Sequence, residues 1–186
     1  MPSSHQANAV PLRGLRRLRR DQRGSAAIEF ALVAPLFFGL LFAIFEIGMT
    51  FFAGQVLENG LQQSARKMFT HEAYTKNFSQ KDFMDDLCSQ VSMLLDCNKL
   101  RVDVRVFAEG APIIFEPPID ADGKFVDVFN YQNPQPDTKE TVVVRAFYQW
   151  PLIVTQLGFN LANIDANTPN GKYLLAALSA FRVEPQ

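Results

Sequence analysis

The sequence has little with which to do chemistry. Histidine occurs twice, as His5 and His71, cysteine twice, as Cys88 and Cys97, and tryptophan once. His71-Glu72 begins like a zinc-protease motif, but no second histidine follows on the same helix face. Two cysteines and a distant histidine do not make the four-ligand set of a zinc site. No nucleophile elbow, phosphate-cradling glycine loop or Cys/His pair is present. Asp82, Asp85 and Asp86 read as a solvated helix face. The joint requirement for an acid, a base and a nucleophile in one place is not met, so an enzyme is not expected. No cofactor and no metal are implied.

Net charge is also nearly absent, at −1 over 186 residues, yet that balance hides a division. Residues 1–24 contain Arg13, Arg16, Arg17, Arg19, Arg20 and Arg23 against Asp21, a charge of +5. The remainder is mildly acidic at −6 and offers no basic face to nucleic acid. With 48% apolar and 20% charged residues, the chain is not of the disordered class. Its length suits one compact domain plus an appendage.

Charge is missing altogether from Phe30 to Phe45, and the apolar character continues to Ala53 with Glu46 as its one interruption. Glu29 precedes the run. About 20 apolar residues cross a hydrocarbon core, so the segment suffices if Glu29 and Glu46 lie near the interfaces or find partners. The arginines before it predict that the basic end stays in the cytoplasm and the acidic remainder is exported. Three readings compete. A cleaved signal peptide would be shorter and close on small residues, whereas Phe45, Phe51 and Phe52 stand here. A plain membrane anchor is the second. The third is a pilin-type segment, cut on its cytoplasmic side and kept as an assembly helix.

The helical pattern persists past the apolar run. Val56, Leu57, Leu61, Ala65 and Met68 recur at helical spacing against Gln55, Glu58, Gln62 and Arg66. One helix from Ser25 to Phe69 would be about 68 Å long at 1.5 Å per residue, with a kink expected at Pro35. A second helix is predicted over Gln80–Asp96, its apolar face formed by Phe83, Met84, Leu87, Val91, Leu94 and Leu95. Leu100, Val102, Val104 and Val106 then alternate with Arg101, Asp103 and Arg105, the pattern of a half-buried strand. Residues 112–136 hold five prolines and the Asp122-Gly123 turn signal. They predict an irregular loop or a loose hairpin between Ile113–Phe115 and Lys124–Phe129. Thr141–Trp150 reads as a strand. Tyr173–Val183 fits helix by composition, but the Asn170-Gly171 turn before it favours a closing strand. The expected fold is α+β: a long N-terminal transmembrane helix extending into a small exported domain with a packed helix and an antiparallel sheet. The divisions are a basic cytoplasmic leader at 1–24, a membrane and assembly helix at 25–70, and an exported α+β domain at 71–186. An exported domain permits a Cys88–Cys97 disulfide, the alternative being two buried thiols.

Gly24-Ser25-Ala26-Ala27-Ile28-Glu29-Phe30 resembles the processing motif of Tad (Flp) pilus pseudopilins: glycine, four residues, glutamate, then an aromatic residue. The wider run from Arg23 to Leu36 is similar to the TadE-like family, as are Tyr148-Gln149-Trp150-Pro151-Leu152 and Phe181-Arg182-Val183-Glu184-Pro185. The resemblance implies that a membrane prepilin peptidase cuts between Gly24 and Ser25, so that Glu29 becomes the fifth residue of the mature chain. It implies an inner-membrane protein with a cytoplasmic N-terminus and a periplasmic domain. It also implies a minor pseudopilin that supports pilus assembly, adhesion and biofilm formation and enters the surface filament or stays at its base. The implied partners are the prepilin peptidase, other pilins and pseudopilins, the inner-membrane assembly machinery and membrane lipid. Glu29 would then pair with the Ser25 amine of a neighbouring subunit. The competing reading is an unprocessed single-span envelope protein with a binding or scaffolding outer domain. In that case the leader stays attached.

Overall fold

The structure is a computed structural model that describes residues 25–69, 79–127, 129–133, 139–153 and 160–182. Its elements are α1 (Ser25–Phe69), α2 (Gln80–Val91), a single 3₁₀ turn (Cys97–Lys99), β1 (Leu100–Phe107), β2 (Thr141–Pro151) and β3 (Lys172–Arg182). The fold is α+β: a long apolar N-terminal helix, then a small domain of one helix and a three-stranded antiparallel sheet. The chain divides into two compact units, one up to Leu41 and one from Phe42 to Gln186.

The first unit contributes the start of α1. Its large apolar side chains point outward; Ile28, Phe30, Leu32, Val33, Leu36 and Phe37 are all exposed. Pro35 lies inside the helix, as the sequence places it. The region around Ala26–Lys67 is long and apolar enough to span a membrane, and only 6% of its most apolar window is buried. That exposure separates it from the core helix of a soluble protein, which hides such a surface.

In the second unit α1 becomes amphipathic. Thr50, Ala53, Leu57, Leu61, Ser64 and Ala65 are buried at spacings of three and four, and Gln55, Gln62, Gln63 and Arg66 face out. The buried stripe packs with Phe83, Leu87 and Val91 of α2 and with one face of the sheet. Contact between the helices is closest at Gly60. A Cβ there would stand 2.7 Å from Val91 Cγ1, so a residue without a side chain is required.

Ser79 caps α2 reciprocally. Its hydroxyl accepts from the Asp82 N–H, and the Asp82 carboxylate accepts from the Ser79 N–H at 2.9 Å. The Ser79 bonds, side chain first, outweigh partial desolvation and hold the Asp82 carboxyl below its ordinary value. Asp82 and Asp85 are exposed, as a solvated helix face requires, and Asp85 pairs with Lys81 at the surface; Asp86 is partly buried and pairs with Lys67 of α1. The helix ends earlier than its apolar pattern predicts. After Val91 the Leu94 and Leu95 N–H groups both donate to the Val91 carbonyl, which closes a turn. Leu95 still reaches the core through that turn. Asp96 then caps the 3₁₀ turn, accepting from the Asn98 N–H at 3.1 Å.

The sheet order is β1-β2-β3. Leu100 pairs with Tyr148, Asp103 with Arg145 and Phe107 with Thr141. On the other side of β2, Val142 pairs with Phe181 and Trp150 with Tyr173. Lys172–Arg182 is thus a strand rather than a helix, and Asn170-Gly171 is the turn that leads into it. One face carries Val102, Val104, Val142, Val144, Ala146, Leu175 and Ala177 into the core under the helices. The opposite face receives the loop that follows β1.

That loop is not a hairpin between Ile113–Phe115 and Lys124–Phe129. Ile119 bridges Phe125 instead. Asp120 accepts from the N–H groups of Asp122 and Lys124, and Gly123 completes the turn at φ +75°. Pro117 and Pro118 have no N–H to give to a ladder, which keeps the residues before them out of the pairing. Further on, Asn130–Gln132 lies along the free edge of β1. The Val104 N–H donates to the Asn130 carbonyl at 2.8 Å, and the Gln132 N–H donates to the Val104 carbonyl at 3.0 Å. This segment covers part of the edge of β1.

Candidate functional site

Three places bear on function: the start of α1, the point where α1 meets the domain, and the loop-covered face of the sheet. Gly24 lies outside the described residues. Ser25 is the first residue of α1, and Glu29 stands exposed one turn further along the same face. Ala27 and Ala31 are exposed, and nothing lies within 4 Å of a Cβ built on Gly39 or Gly48. A helix with small residues on its surface allows close approach by another helix.

At the second place, Glu46 is the only carboxylate in the apolar stretch that follows Glu29. Its Oε1 accepts a hydrogen bond from the backbone N–H of Ile153, just after β2. Its own carbonyl receives the Thr50 hydroxyl at 2.8 Å. Sequence reasoning leaves open whether Glu46 lies at an interface or finds a partner; its partner is the domain's own backbone. No sequence signal names a backbone N–H 107 positions away.

The third place is a buried ion pair. Asp103 is fully buried and Arg145 nearly so. Arg145 Nη2 and Nε donate to Asp103 Oδ2 at 2.5 Å and 3.0 Å. Asp103 Oδ1 accepts from the Asn130 N–H at 2.9 Å and from Arg105 Nε at 3.2 Å. Phe115 lies 3.9 Å over the Arg145 guanidinium. Burial pushes the Asp103 carboxyl up. The Asn130 N–H, Arg145 and Arg105 outweigh it and hold the group below the ordinary carboxylate range. The alternation of β1 puts Asp103 on the face away from the helices, and the structure buries it there. The loop after β1 closes over that face, so its polar positions must satisfy one another.

Among the described residues there is no group of three or more His, Cys, Asp or Glu able to hold a metal. Cys88 and Cys97 are joined in a disulfide with Cα atoms 5.6 Å apart, which links the last turn of α2 to the 3₁₀ turn before β1. His71 lies outside the described residues.

The outward-facing apolar helix that leads the small α+β domain is the candidate membrane span among the described residues, consistent with a membrane-anchored protein. Residues 24–66 match the family model described as TadE-like protein, so the resemblance read from the sequence is found again over that stretch. The match begins on Gly24 and covers most of α1 but none of the sheet. The segments Tyr148–Leu152 and Phe181–Pro185 lie beyond it. The match suggests a protein associated with the Tad pilus, whose TadE-like components are structural parts rather than enzymes. No curated protein and no solved structure matches the chain.

Proposed function

We propose that this chain is a minor pseudopilin of a tight-adherence pilus. A prepilin peptidase processes it between Gly24 and Ser25, and it acts with other pilins and the inner-membrane assembly machinery in adhesion and biofilm formation. The observation that carries the reading is the register of the family match. It starts at Gly24 and takes in Glu29 five residues on.

The physics supports it. Glycine at the cut presents an extended, unobstructed peptide. Cutting removes all six leader arginines and leaves an amine at the head of α1. The arginines before the cut orient the span with that end in the cytoplasm and the domain in the periplasm. A carboxylate carried into hydrocarbon costs several kcal/mol, roughly, when unpaired. The amine of a neighbouring subunit offsets that cost and fixes the axial register between helices, as buried polar residues do in coiled coils. The exposed domain, much larger than a bare helix, suits a minor component.

Glu29→Ala tests the register role. Membrane insertion should be normal by extraction and protease protection, and surface pili should be lost by electron microscopy. Normal piliation in that variant contradicts the proposal. The competing reading, an unprocessed envelope protein with a binding domain, predicts silence at both Gly24 and Glu29.

A further inference from the structure

We infer that Ile153, two residues past the end of β2, makes a second membrane contact. Ile153, fastened to α1 by Glu46, enters the bilayer on the domain's side, and lipid covers it. The inference rests on reading α1 as a membrane span.

Hydrocarbon takes about 20 residues of helix, and 20 residues counted from Phe30 end at Met49. Apolar exposure goes further still. Met49, Phe51 and Phe52 are all exposed, Phe51 at 72%, and the outward positions turn polar only at Gln55. Glu46 lies six residues before Phe52, about 9 Å back along the helix. It is therefore inside the apolar collar rather than at its rim. The Ile153 N–H gives that carboxylate a partner. The same bond fixes the depth of Ile153, because a side chain four bonds long cannot reach far from its own level on the helix.

Ile153 is 81% exposed, so the domain core does not use it. A single exposed isoleucine is unremarkable on a soluble surface. One tied to a helix below the end of that helix's apolar collar is surrounded by whatever surrounds the collar. No charged residue occurs from Trp150 to Ile153; Lys172, opposite Pro151 on β3, gives its ammonium to Gln149, and a side chain of that length keeps its charge toward water. A cavity of about 510 Å³ lies at the same end of the domain, lined by Ile47, Phe51, Gly54, Leu161 and Leu175 among others. Its apolar side, with Ile47 and Phe51, adjoins the collar and suits an acyl chain, while Thr50, Gln55 and Glu58 line its polar side. Bilayer lipid is the occupant favoured, because the patch is continuous with the span.

The test uses the full-length chain in phosphatidylcholine–phosphatidylglycerol vesicles. In a Trp150→Phe background, a single indole is introduced by Ile153→Trp, by Phe37→Trp in the span, or by Met93→Trp in the exposed turn after α2. Each is read by quenching with brominated lipid and with aqueous acrylamide. Position 153 should follow position 37, quenched several-fold more by brominated lipid than position 93 and poorly by acrylamide. If 153 behaves like 93 while 37 remains lipid-quenched, the inference fails and the span stands. If 37 also escapes lipid, the span reading fails and takes the inference with it. An indole at 153 shielded from both quenchers means that a second copy covers the patch, which also overturns it. The unsubstituted chain gives an independent check through Trp150. Brominated lipid should quench it, and acrylamide quenching alone counts against the inference.

Discussion

Asp103 and Arg145 stand opposite each other on β1 and β2, with Phe115 over the guanidinium. Removing one partner leaves a charge buried and unmatched. Asp103→Ala should therefore cost about 3–5 kcal/mol, measured by denaturant unfolding in detergent. The double replacement Asp103→Leu/Arg145→Met should recover much of that loss, since both charges then go. The pH dependence has a definite sign. The folded carboxyl lies below its unfolded value, so its contribution is complete above an unfolded pKa near 4 and is lost as pH falls through the lower folded value. Acid should loosen the loop over the sheet before it melts the helices. A loop signal that changes together with helix loss would contradict this. Glu46→Ala removes a hydrogen bond to a charged group and should lower stability by about 1–2 kcal/mol. The loss should be accompanied by faster amide exchange at Ile153.

At the scale of elements, α1 and α2 meet where Gly60 faces Val91. Gly60→Leu should cost about 3 kcal/mol by overpacking, despite leucine's better helix propensity. An unchanged midpoint would mean that the helices separate freely. The Cys88–Cys97 link closes a short loop between α2 and β1, and Cys88→Ser/Cys97→Ser should lower stability by about 2–3 kcal/mol. The elements legible in the sequence were those with an unbroken period. The run from Phe30, the Leu57–Leu61–Ala65 stripe and the alternation of β1 each repeat long enough to outvote local noise. The end of α2 was not legible, because Leu94 and Leu95 continue the apolar pattern while the backbone has already turned at Val91. The surroundings of polar residues were not legible for a different reason. The burial of Asp103 could not be read because alternation reports which face a side chain takes, not what later covers that face. The partner of Glu46 is a backbone group, and a backbone N–H has no letter in the sequence.

For the whole molecule, charge and apolarity are segregated along the chain. Six leader arginines precede an outward-facing apolar helix, and the acidic remainder makes the domain. The start of the candidate site was legible because chemistry there is carried by contiguous residues, Gly24 through Phe30. Which surface meets another subunit is a property of facing molecules and leaves no comparable local pattern. The proposed function turns on whether the leader is removed. The direct measurement is mass spectrometry of the N-terminus of membrane-extracted protein, from cells with and without the prepilin peptidase. A mature chain beginning at Ser25, seen only when the peptidase is present, is the predicted result. A leader still attached in both strains, with all its arginines, would contradict the pseudopilin reading and leave an anchored envelope protein.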